Sequence, residues 1–236
     1  MVTNNLILPS GVNVIDKILA GGIRGGVFTH VFGEAASGKT TLALQFVRNA
    51  MRLDLAVIYV NTESTSPVER LEQVAGKDME SMKSHLQILI PHSFDEQGTI
   101  IEDLELYMKS NTKLVVFDTL TRLYRTVLDD KKSNYAAHRE LNRHCGFLKG
   151  VAKNNGVAVL ALNQVTASMN GMNRFEPVAS NILDYWSDVV VRIRTRPERG
   201  ERLLERLVPD GEPSKGLVHI TSEGLSTKDH TVERVK

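Results

Sequence analysis

The stretch GEAASGKTT, Gly33 to Thr41, decides the fold of this chain. Its two glycines and the pair Lys39-Thr40 fit the pattern G-x-x-x-x-G-K-[ST]. The apolar run 27–32 precedes it and the largely apolar segment 42–47 follows it, which predicts a strand, a glycine-bounded loop and a helix. The glycines let backbone N–H groups curl around phosphate oxygens, and the helix dipole points its positive end at the same anion. The stretch therefore predicts a nucleotide phosphate site.

Each position of this phosphate loop has a mechanical role. Lys39 is expected to reach the β- and γ-phosphates, and the Thr40 hydroxyl to bind Mg²⁺. The alternative, a glycine-rich turn that fits by chance, is disfavoured by the flanking strand and helix. The phosphate-binding residues are expected to be the whole loop: Gly33, Glu34, Ala35, Ala36, Ser37, Gly38, Lys39, Thr40 and Thr41.

Composition limits the kind of protein. A chain of 236 residues with 42% hydrophobic content can bury one sizeable core, and Cys145 is its only cysteine, which excludes an internal disulfide and fits a reducing compartment. The sequence shows no apolar run of signal-peptide or membrane-spanning character. We therefore expect a soluble cytoplasmic protein without a membrane partner. It is predicted to be a single domain over 1–236, with a lead-in segment at 1–26 and a frayed tail at 227–236.

Further apolar runs alternate with helical patterns along the chain. Short runs of this kind are typical of parallel strands buried on both faces. The fold class is therefore α/β, with a mostly parallel central sheet flanked by helices and antiparallel edge strands at the C-terminal side. A short lead-in helix is predicted around 14–19, within a linker. Strands are predicted at 55–60, 86–90, 114–117 and 157–162, and a helix at 96–109. Further strands are predicted at 189–194, 203–207 and 216–221, with a hairpin turn at 196–200 between the first two and the last strand at the sheet edge.

Polar side chains end three of these strands. Glu63 follows 55–60, Asp118 closes 114–117 and Gln164 follows 157–162. Open α/β sheets bind ligands at the carboxyl ends of their strands. In that position Glu63 can polarise a water, Asp118 can accept from magnesium-bound water, and the Gln164 amide can hydrogen-bond a γ-phosphate. The alternatives are a solvated loop acid for Glu63 and a turn residue for Gln164.

The net charge of +1 hides an uneven distribution. Residues 120–153 carry eight basic and three acidic side chains, whereas 55–110 carry four basic and ten acidic ones. A basic zone near a polar loop predicts contact with a nucleic-acid backbone, and the alternative is a surface helix with a solvated basic side. In the polar loop 166–177, a cation beside an aromatic ring suits stacking on unpaired bases, and a disordered lid is the alternative. The candidate DNA contacts are Arg125, Lys131, Lys132, Arg139, Arg174 and Phe175.

Three neighbouring residues, His138, His144 and Cys145, suggest a metal site at first sight. Their spacing fits no tetrahedral ligand set, and there is no pair of cysteines to complete one. We interpret them as residues on the surface of a helix.

Six motifs in order carry a resemblance to a known family: SGVNVIDKILAGGI, GEAASGKTT, VIYVNTES, LVVFDTLTRLYR, VLALNQV and EPVASNILDYWSD. They resemble the ATPase core of the RecA/RadA recombinase superfamily, and within it the short archaeal RadB paralogues. The resemblance covers nearly the whole chain and implies a P-loop NTPase core of RecA-like fold with ATP and Mg²⁺ as cofactors. It implies that Glu63 activates water, that Asp118 binds the metal with Thr40, and that Gln164 couples the nucleotide to DNA.

The resemblance also implies partners. These are single-stranded DNA, with double-stranded DNA as an alternative, a RadA-type recombinase or other repair proteins, and a second copy of the chain. DNA would be contacted by the loops after Tyr124 and after Gln164. We expect no helix-hairpin-helix N-terminal domain, which favours an accessory or mediator role with slow ATP hydrolysis. Ala179-Ser180 replaces a usual pair of glycines, and the segment 202–216 lacks the Lys-His-Arg cluster typical of RadB.

Two other functions stay open at this point. A KaiC-like regulatory ATPase shares the fold, although that group typically has paired glutamates where this chain has Glu63-Ser64. A nucleotide-dependent scaffold with little hydrolysis is also consistent with these residues, because sequence does not report a turnover rate.

Overall fold

The computed structural model describes residues 6–63, 66–76, 83–167, 175–212 and 214–227. Its strands are β1 (Ile7–Leu8), β2 (Ile23–Arg24), β3 (Phe28–Gly33), β4 (Ala56–Asn61), β5 (Leu86–Leu89), β6 (Thr112–Asp118), β7 (Ala158–Ala167), β8 (Phe175–Pro177), β9 (Val189–Thr195), β10 (Glu201–Val208), β11 (Lys215–Thr221) and β12 (Gly224–Ser226). Its α-helices are α1 (Asn13–Ile18), α2 (Lys39–Arg52), α3 (Pro67–Ala75), α4 (Phe94–Glu102), α5 (Leu104–Tyr107), α6 (Arg122–Thr126), α7 (Lys131–Asn155) and α8 (Ser180–Trp186).

A ten-stranded sheet organises the described residues. Its order is β12-β11-β10-β9-β3-β7-β6-β4-β5, with β8 paired to the end of β7. The strands from β9 to β5 in that order run parallel, and β10, β11 and β12 run antiparallel. This confirms the predicted α/β class, with a mostly parallel centre and antiparallel strands at the C-terminal side.

Two hydrophobic clusters cover the two faces of this sheet. Val57 and Tyr59 of β4 point into the cluster that contains α1 and α2, whereas Ile58 and Val60 point into the cluster that contains α4 and α7. Successive side chains of a strand face opposite sides of its sheet. Because helices cover both sides, the central strands are largely apolar on both faces.

The predicted helix 96–109 is two helices. α4 begins at Phe94, because the Ser93 hydroxyl accepts a hydrogen bond from the Glu96 backbone N–H at 3.1 Å and caps the first turn. It ends at Glu102, and α5 follows after Asp103. The helical spacing of apolar residues continues across Asp103, so the sequence pattern did not indicate that the helix is interrupted there.

The prediction that 216–221 lies at the sheet edge is wrong. β11 has β10 on one side and β12 on the other, and β12 is the edge strand. Gly224, with φ +127°, allows the tight turn that brings β12 back onto β11. A strand of three residues is too short to show an alternating pattern. The predicted hairpin between β9 and β10 is confirmed, and all of the predicted tail except Thr227 lies outside the described residues.

The lead-in segment is part of the core, so its interpretation as a linker is wrong. β1 and β2 pair with each other, and Leu8 and Ile15 are buried. Helix α1 packs closely on β11, where a Cβ added to Gly216 would lie 2.2 Å from Val14 Cγ1. A short helix carries too few apolar positions to indicate whether it packs against a sheet.

Helix α7 has one apolar face, formed by Leu141, Cys145, Leu148 and Ala152, all of which are buried. The helix-surface interpretation is wrong for Cys145 and also for His144, which is buried beside Phe94 at a ring distance of 4.9 Å. Burial raises the pKa of the Cys145 thiol to about 12. No helix in the described ranges is long and apolar enough to cross a membrane.

The contact between α1 and β11 can be tested with a double-mutant cycle. Gly216→Ala should lower the free energy of unfolding by about 1–3 kcal/mol, because the new methyl group overlaps Val14. Combining it with Val14→Ala should recover about 1 kcal/mol relative to the sum of the single variants. Chemical denaturation measures all three variants.

Gly150→Ala is the matched control, because a Cβ there meets nothing within 4 Å in the middle of α7. It should stabilise the protein by about 0.5–1 kcal/mol. If the effects of Gly216→Ala and Val14→Ala on the free energy of unfolding are strictly additive, the packing of α1 on the sheet is contradicted.

Candidate functional site

The predicted site residues meet at the carboxyl ends of adjacent parallel strands. The register pairs Gly33 of β3 with Gln164 of β7, and Asn61 of β4 with Asp118 of β6. Glu63 follows β4 two residues later. Gln164 lies within β7 rather than after it, because β7 continues to Ala167 and pairs there with β8.

The phosphate loop encloses its own lysine. Lys39 Nζ donates to the carbonyl oxygens of Gly33 at 2.9 Å and Glu34 at 2.7 Å, and the side chain is buried. Burial lowers the pKa of Lys39, and the carboxylates of Asp118, Glu63 and Glu34 oppose that shift. Gly38 holds φ +100° at the start of α2, so the helix begins directly from the loop. The loop therefore presents a cation and a helix N-terminus at one point.

Asp118 is a buried carboxylate with two hydroxyl partners. Its Oδ2 accepts from Thr40 Oγ1 at 2.8 Å and from the Tyr59 hydroxyl at 2.6 Å. Burial raises the pKa of Asp118, and the two hydrogen bonds and Lys39 act against that rise. Burial, together with Asp118, raises the pKa of Tyr59 well above its usual value. Carboxylate and hydroxyl oxygens side by side are the hard ligands that Mg²⁺ prefers, so these residues fit the predicted metal.

The Glu63 carboxylate contacts β7, the segment after β6 and the start of α6. Its Oε1 accepts from Gln164 Nε2 at 3.0 Å and from Thr119 Oγ1 at 3.4 Å. Arg122 Nε stands 3.8 Å from Glu63 Oε2, and the Arg122 guanidinium also donates to the Thr62 carbonyl. These contacts hold the carboxylate at a defined position beside the phosphate loop.

Gln164 connects this carboxylate to a cation predicted to contact DNA. Its Oε1 accepts from Arg125 Nη1 at 3.4 Å while its Nε2 donates to Glu63. Arg125 belongs to α6, directly before the loop that the resemblance assigns to DNA. One amide therefore contacts both the candidate catalytic acid and the first candidate DNA loop.

A buried polar network lies next to Gln164. Asn163 Oδ1 accepts from Thr121 Oγ1 at 2.5 Å, and Asn163 Nδ2 donates to the Val178 carbonyl at 2.8 Å. His30 lies 3.3 Å from Asn163 Nδ2 and 3.2 Å from Asp184 Oδ1. Burial lowers the pKa of His30, and Asp184 opposes that shift. The neutral ring then donates from Nδ1 to Asp184 and accepts from Asn163 at Nε2.

The antiparallel strands contribute a residue that sequence reasoning missed. Arg202 of β10 donates from Nε to the Ser37 carbonyl at 3.0 Å and from Nη2 to the Ala36 carbonyl at 3.2 Å. Ala36 has a left-handed backbone with φ +58°, which is costly for a residue with a Cβ. Arg202 therefore holds the loop in a conformation that its own sequence does not favour. The sequence could have indicated this role only if β10 had been predicted to lie beside the phosphate loop.

The candidate DNA contacts are only partly brought together. Arg125, Lys131, Lys132 and Arg139 are exposed, the last three along α7. Asp130 caps this helix by accepting a hydrogen bond from the Ser133 backbone N–H at 2.7 Å. Hydrogen bonds with the backbone and the side chain of Ser133 lower the pKa of Asp130. Arg174 lies outside the described residues, as does the side chain of Phe175, whose backbone pairs with Ala167.

Comparisons with known proteins show relatives over most of the chain. The sequence profile of the Rad51 family matches residues 3–227. The DNA repair and recombination protein RadB of Methanococcoides burtonii is 30% identical, over 92% of this chain and 96% of that protein. The protein of the same name from Archaeoglobus fulgidus is 33% identical, over 93% of this chain and 98% of its own. A crystal structure of the RadB recombinase matches with a TM-score of 0.79 and 31% identity, covering 94% and 100% of the two chains. The predicted RecA-like fold is confirmed.

The role of Arg202 is testable through nucleotide affinity. Arg202→Gln should weaken ATP binding roughly tenfold, because the loop loses two charge-assisted hydrogen bonds. Titration with a fluorescent ATP analogue measures this. Arg196→Gln removes an equal charge from a residue that pairs with Glu201, and it should leave the affinity unchanged. Equal losses in both variants would show that only overall charge matters.

Proposed function

The chain belongs to the Rad51 family, and on that premise we propose that it is an ATP-dependent DNA-binding protein of DNA repair and recombination. The names of its RadB relatives support this role. The observation that carries the proposal is the meeting of Lys39, Thr40, Asp118, Glu63 and Gln164 at one end of the sheet. Each of these residues supplies a different group that phosphoryl transfer to water requires.

Nucleotide binding follows from the phosphate loop. The backbone N–H groups of Gly33 to Thr41 surround the phosphates, and the Lys39 ammonium exchanges carbonyl partners for phosphate oxygens. Thr40 and Asp118 would hold Mg²⁺, which neutralises charge on the phosphates when it is bound. Tyr59 keeps the Asp118 carboxylate turned towards Thr40 through its hydrogen bond to Oδ2.

Hydrolysis is assigned to Glu63. Its carboxylate accepts a proton from the attacking water, and Gln164 and Thr119 fix its orientation through Oε1. The second oxygen, Oε2, faces Arg122 at 3.8 Å, so the group stays available as an acceptor.

Coupling to DNA runs through Gln164. A γ-phosphate that hydrogen-bonds the Gln164 amide would compete with the bonds of that amide to Glu63 and Arg125, and loss of the phosphate would restore them. Arg125, Lys131, Lys132 and Arg139 then change their position relative to the DNA backbone. Arg174 and Phe175, which the sequence assigns to the second candidate DNA loop, are proposed as further DNA contacts. We assign the chain an accessory or mediator role beside a RadA-type recombinase, as a single ATPase domain with slow turnover.

Two variants separate binding from hydrolysis. Lys39→Ala should abolish ATP binding without unfolding the domain, because it removes the cation of the loop. Glu63→Gln preserves the shape of the side chain and should bind ATP normally while hydrolysis falls about 10²- to 10⁴-fold. Calorimetry and a phosphate-release assay measure the two effects. Normal ATP affinity in Lys39→Ala would refute the site assignment.

The proposed function as a whole is tested by coupling between ATP and DNA. Single-stranded DNA should change the affinity for ATP, and bound ATP should change the affinity for DNA by the same factor. The hydrolysis rate should also change when DNA is added. Affinity should fall as salt rises, because phosphate contacts release counterions. Arg125→Ala should reduce the coupling and leave DNA-free hydrolysis intact. Tight ATP binding without any effect of DNA would instead indicate a nucleotide-dependent scaffold.

A further inference from the structure

A groove of about 440 Å³ lies between α7 and α8, close to the ends of both candidate DNA loops. α7 begins just after the first loop, and α8 begins just after β8, which returns from the second. Arg139 is the one candidate DNA contact among the residues that line it: Tyr135, His138, Arg139, Asn142, Asn181 and Ile182.

Tyr135 lines this groove, Tyr185 lies on α8 one turn from a lining residue, and both rings are exposed to solvent. Tyr135 is 72% exposed and Tyr185 is 77% exposed. Tyr135, Arg139 and Asn142 are four and three residues apart, so they form one stripe along α7. Tyr185 lies one turn of α8 beyond Asn181 on the opposite wall. Neither ring contributes to a hydrophobic cluster of the described fold.

Helix α8 is held rigidly while it presents Tyr185. Trp186 Nε1 donates to Asn142 Oδ1 at 2.9 Å across the groove, and its ring fits against Gly146 of α7. Asp184 is tied to His30 on the other side of the helix. The rings of Tyr185 and Trp186 meet edge to face at 5.2 Å. A rigid helix loses little entropy when its aromatic side chain binds a ligand.

The chemistry of the groove matches an unpaired nucleobase. Aromatic rings stack on any base because every base has a π-face, and amide side chains such as Asn142 and Asn181 can bond base edges. The Arg139 guanidinium, with Lys131 and Lys132 further along α7, attracts the phosphates between the bases. The acid of α8, Asp184, lies on the other side of the helix, where its carboxylate has His30 as a partner. A protein partner is less well matched, because the groove offers cations and amides instead of a broad aliphatic surface.

We propose that the groove between α7 and α8 binds bases of single-stranded DNA, with Tyr135 and Tyr185 as the stacking residues. This inference rests on the proposed function and adds a base-contacting site outside the two loops. The loops and the lysines of α7 hold the phosphate backbone, and the tyrosines hold the bases that turn towards the protein. Binding here is independent of base sequence, because stacking dominates.

The test compares oligo(dT) with an abasic oligonucleotide of the same length, both measured by fluorescence anisotropy. Tyr135→Ala and Tyr185→Ala should each weaken oligo(dT) binding about five- to one-hundred-fold. Binding of the abasic strand should not change, and neither should the slope of affinity against salt. Tyr135→Phe and Tyr185→Phe keep the ring and should bind like the native protein. DNA-free ATP hydrolysis is the folding control, since both side chains are exposed and outside the nucleotide site.

Trp186 provides a direct readout, because it is the only tryptophan of the chain and its ring touches Tyr185. Oligo(dT) should quench its emission, and the abasic strand should not. If native protein binds oligo(dT) and both alanine variants bind it equally well, the groove proposal is wrong and the proposed function stands. Equal losses for oligo(dT) and the abasic strand would also overturn it. If native protein binds no single-stranded DNA even at low salt, both proposals fail.

Discussion

The hydrogen bonds of the buried Asp118 carboxylate are the interaction on which the site depends. A buried charge is costly unless it is paired and hydrogen-bonded, and here Thr40 and Tyr59 both donate to one oxygen. Thr40 belongs to the helix that follows the phosphate loop, and Tyr59 belongs to the neighbouring strand. The carboxylate therefore ties three elements together at the point where the sheet ends. Burial raises the pKa of this carboxyl, because the charged form loses its water shell.

The antiparallel strands support the phosphate loop from the side. Arg202 holds two loop carbonyls, and the Gln45 amide exchanges two hydrogen bonds with the backbone of Leu225. Gly38 holds φ +100°, which is strained for a residue with a Cβ, and Ile220 and Leu225 lie within van der Waals distance of the position that a Cβ would take. The loop is therefore shaped by contacts from the far end of the chain as much as by its own glycines.

Adjacent residues of β7 serve two sides of the molecule. Gln164 faces Glu63 and Arg125, whereas Asn163 faces His30 and the Val178 carbonyl. Neighbouring side chains on a strand point in opposite directions, so a small shift of this strand end moves both networks. One network leads to the first candidate DNA loop, and the other leads to the return of the second loop and to α8. The groove between α7 and α8 lies where these two paths meet.

The sequence alone determined the phosphate loop, the mostly parallel character of an α/β sheet and the polar residues that close its strands. These features depend on glycine spacing and on apolar runs, which are local along the chain. Tertiary structure alone decided the roles of Arg202, Tyr59 and His30, the packing of α1 and the tyrosine groove. Arg202 and Ser37 are 165 residues apart, and nothing in either local pattern indicates that they touch. Such contacts arise only when the sheet is assembled, because strand order and register decide which distant side chains become neighbours.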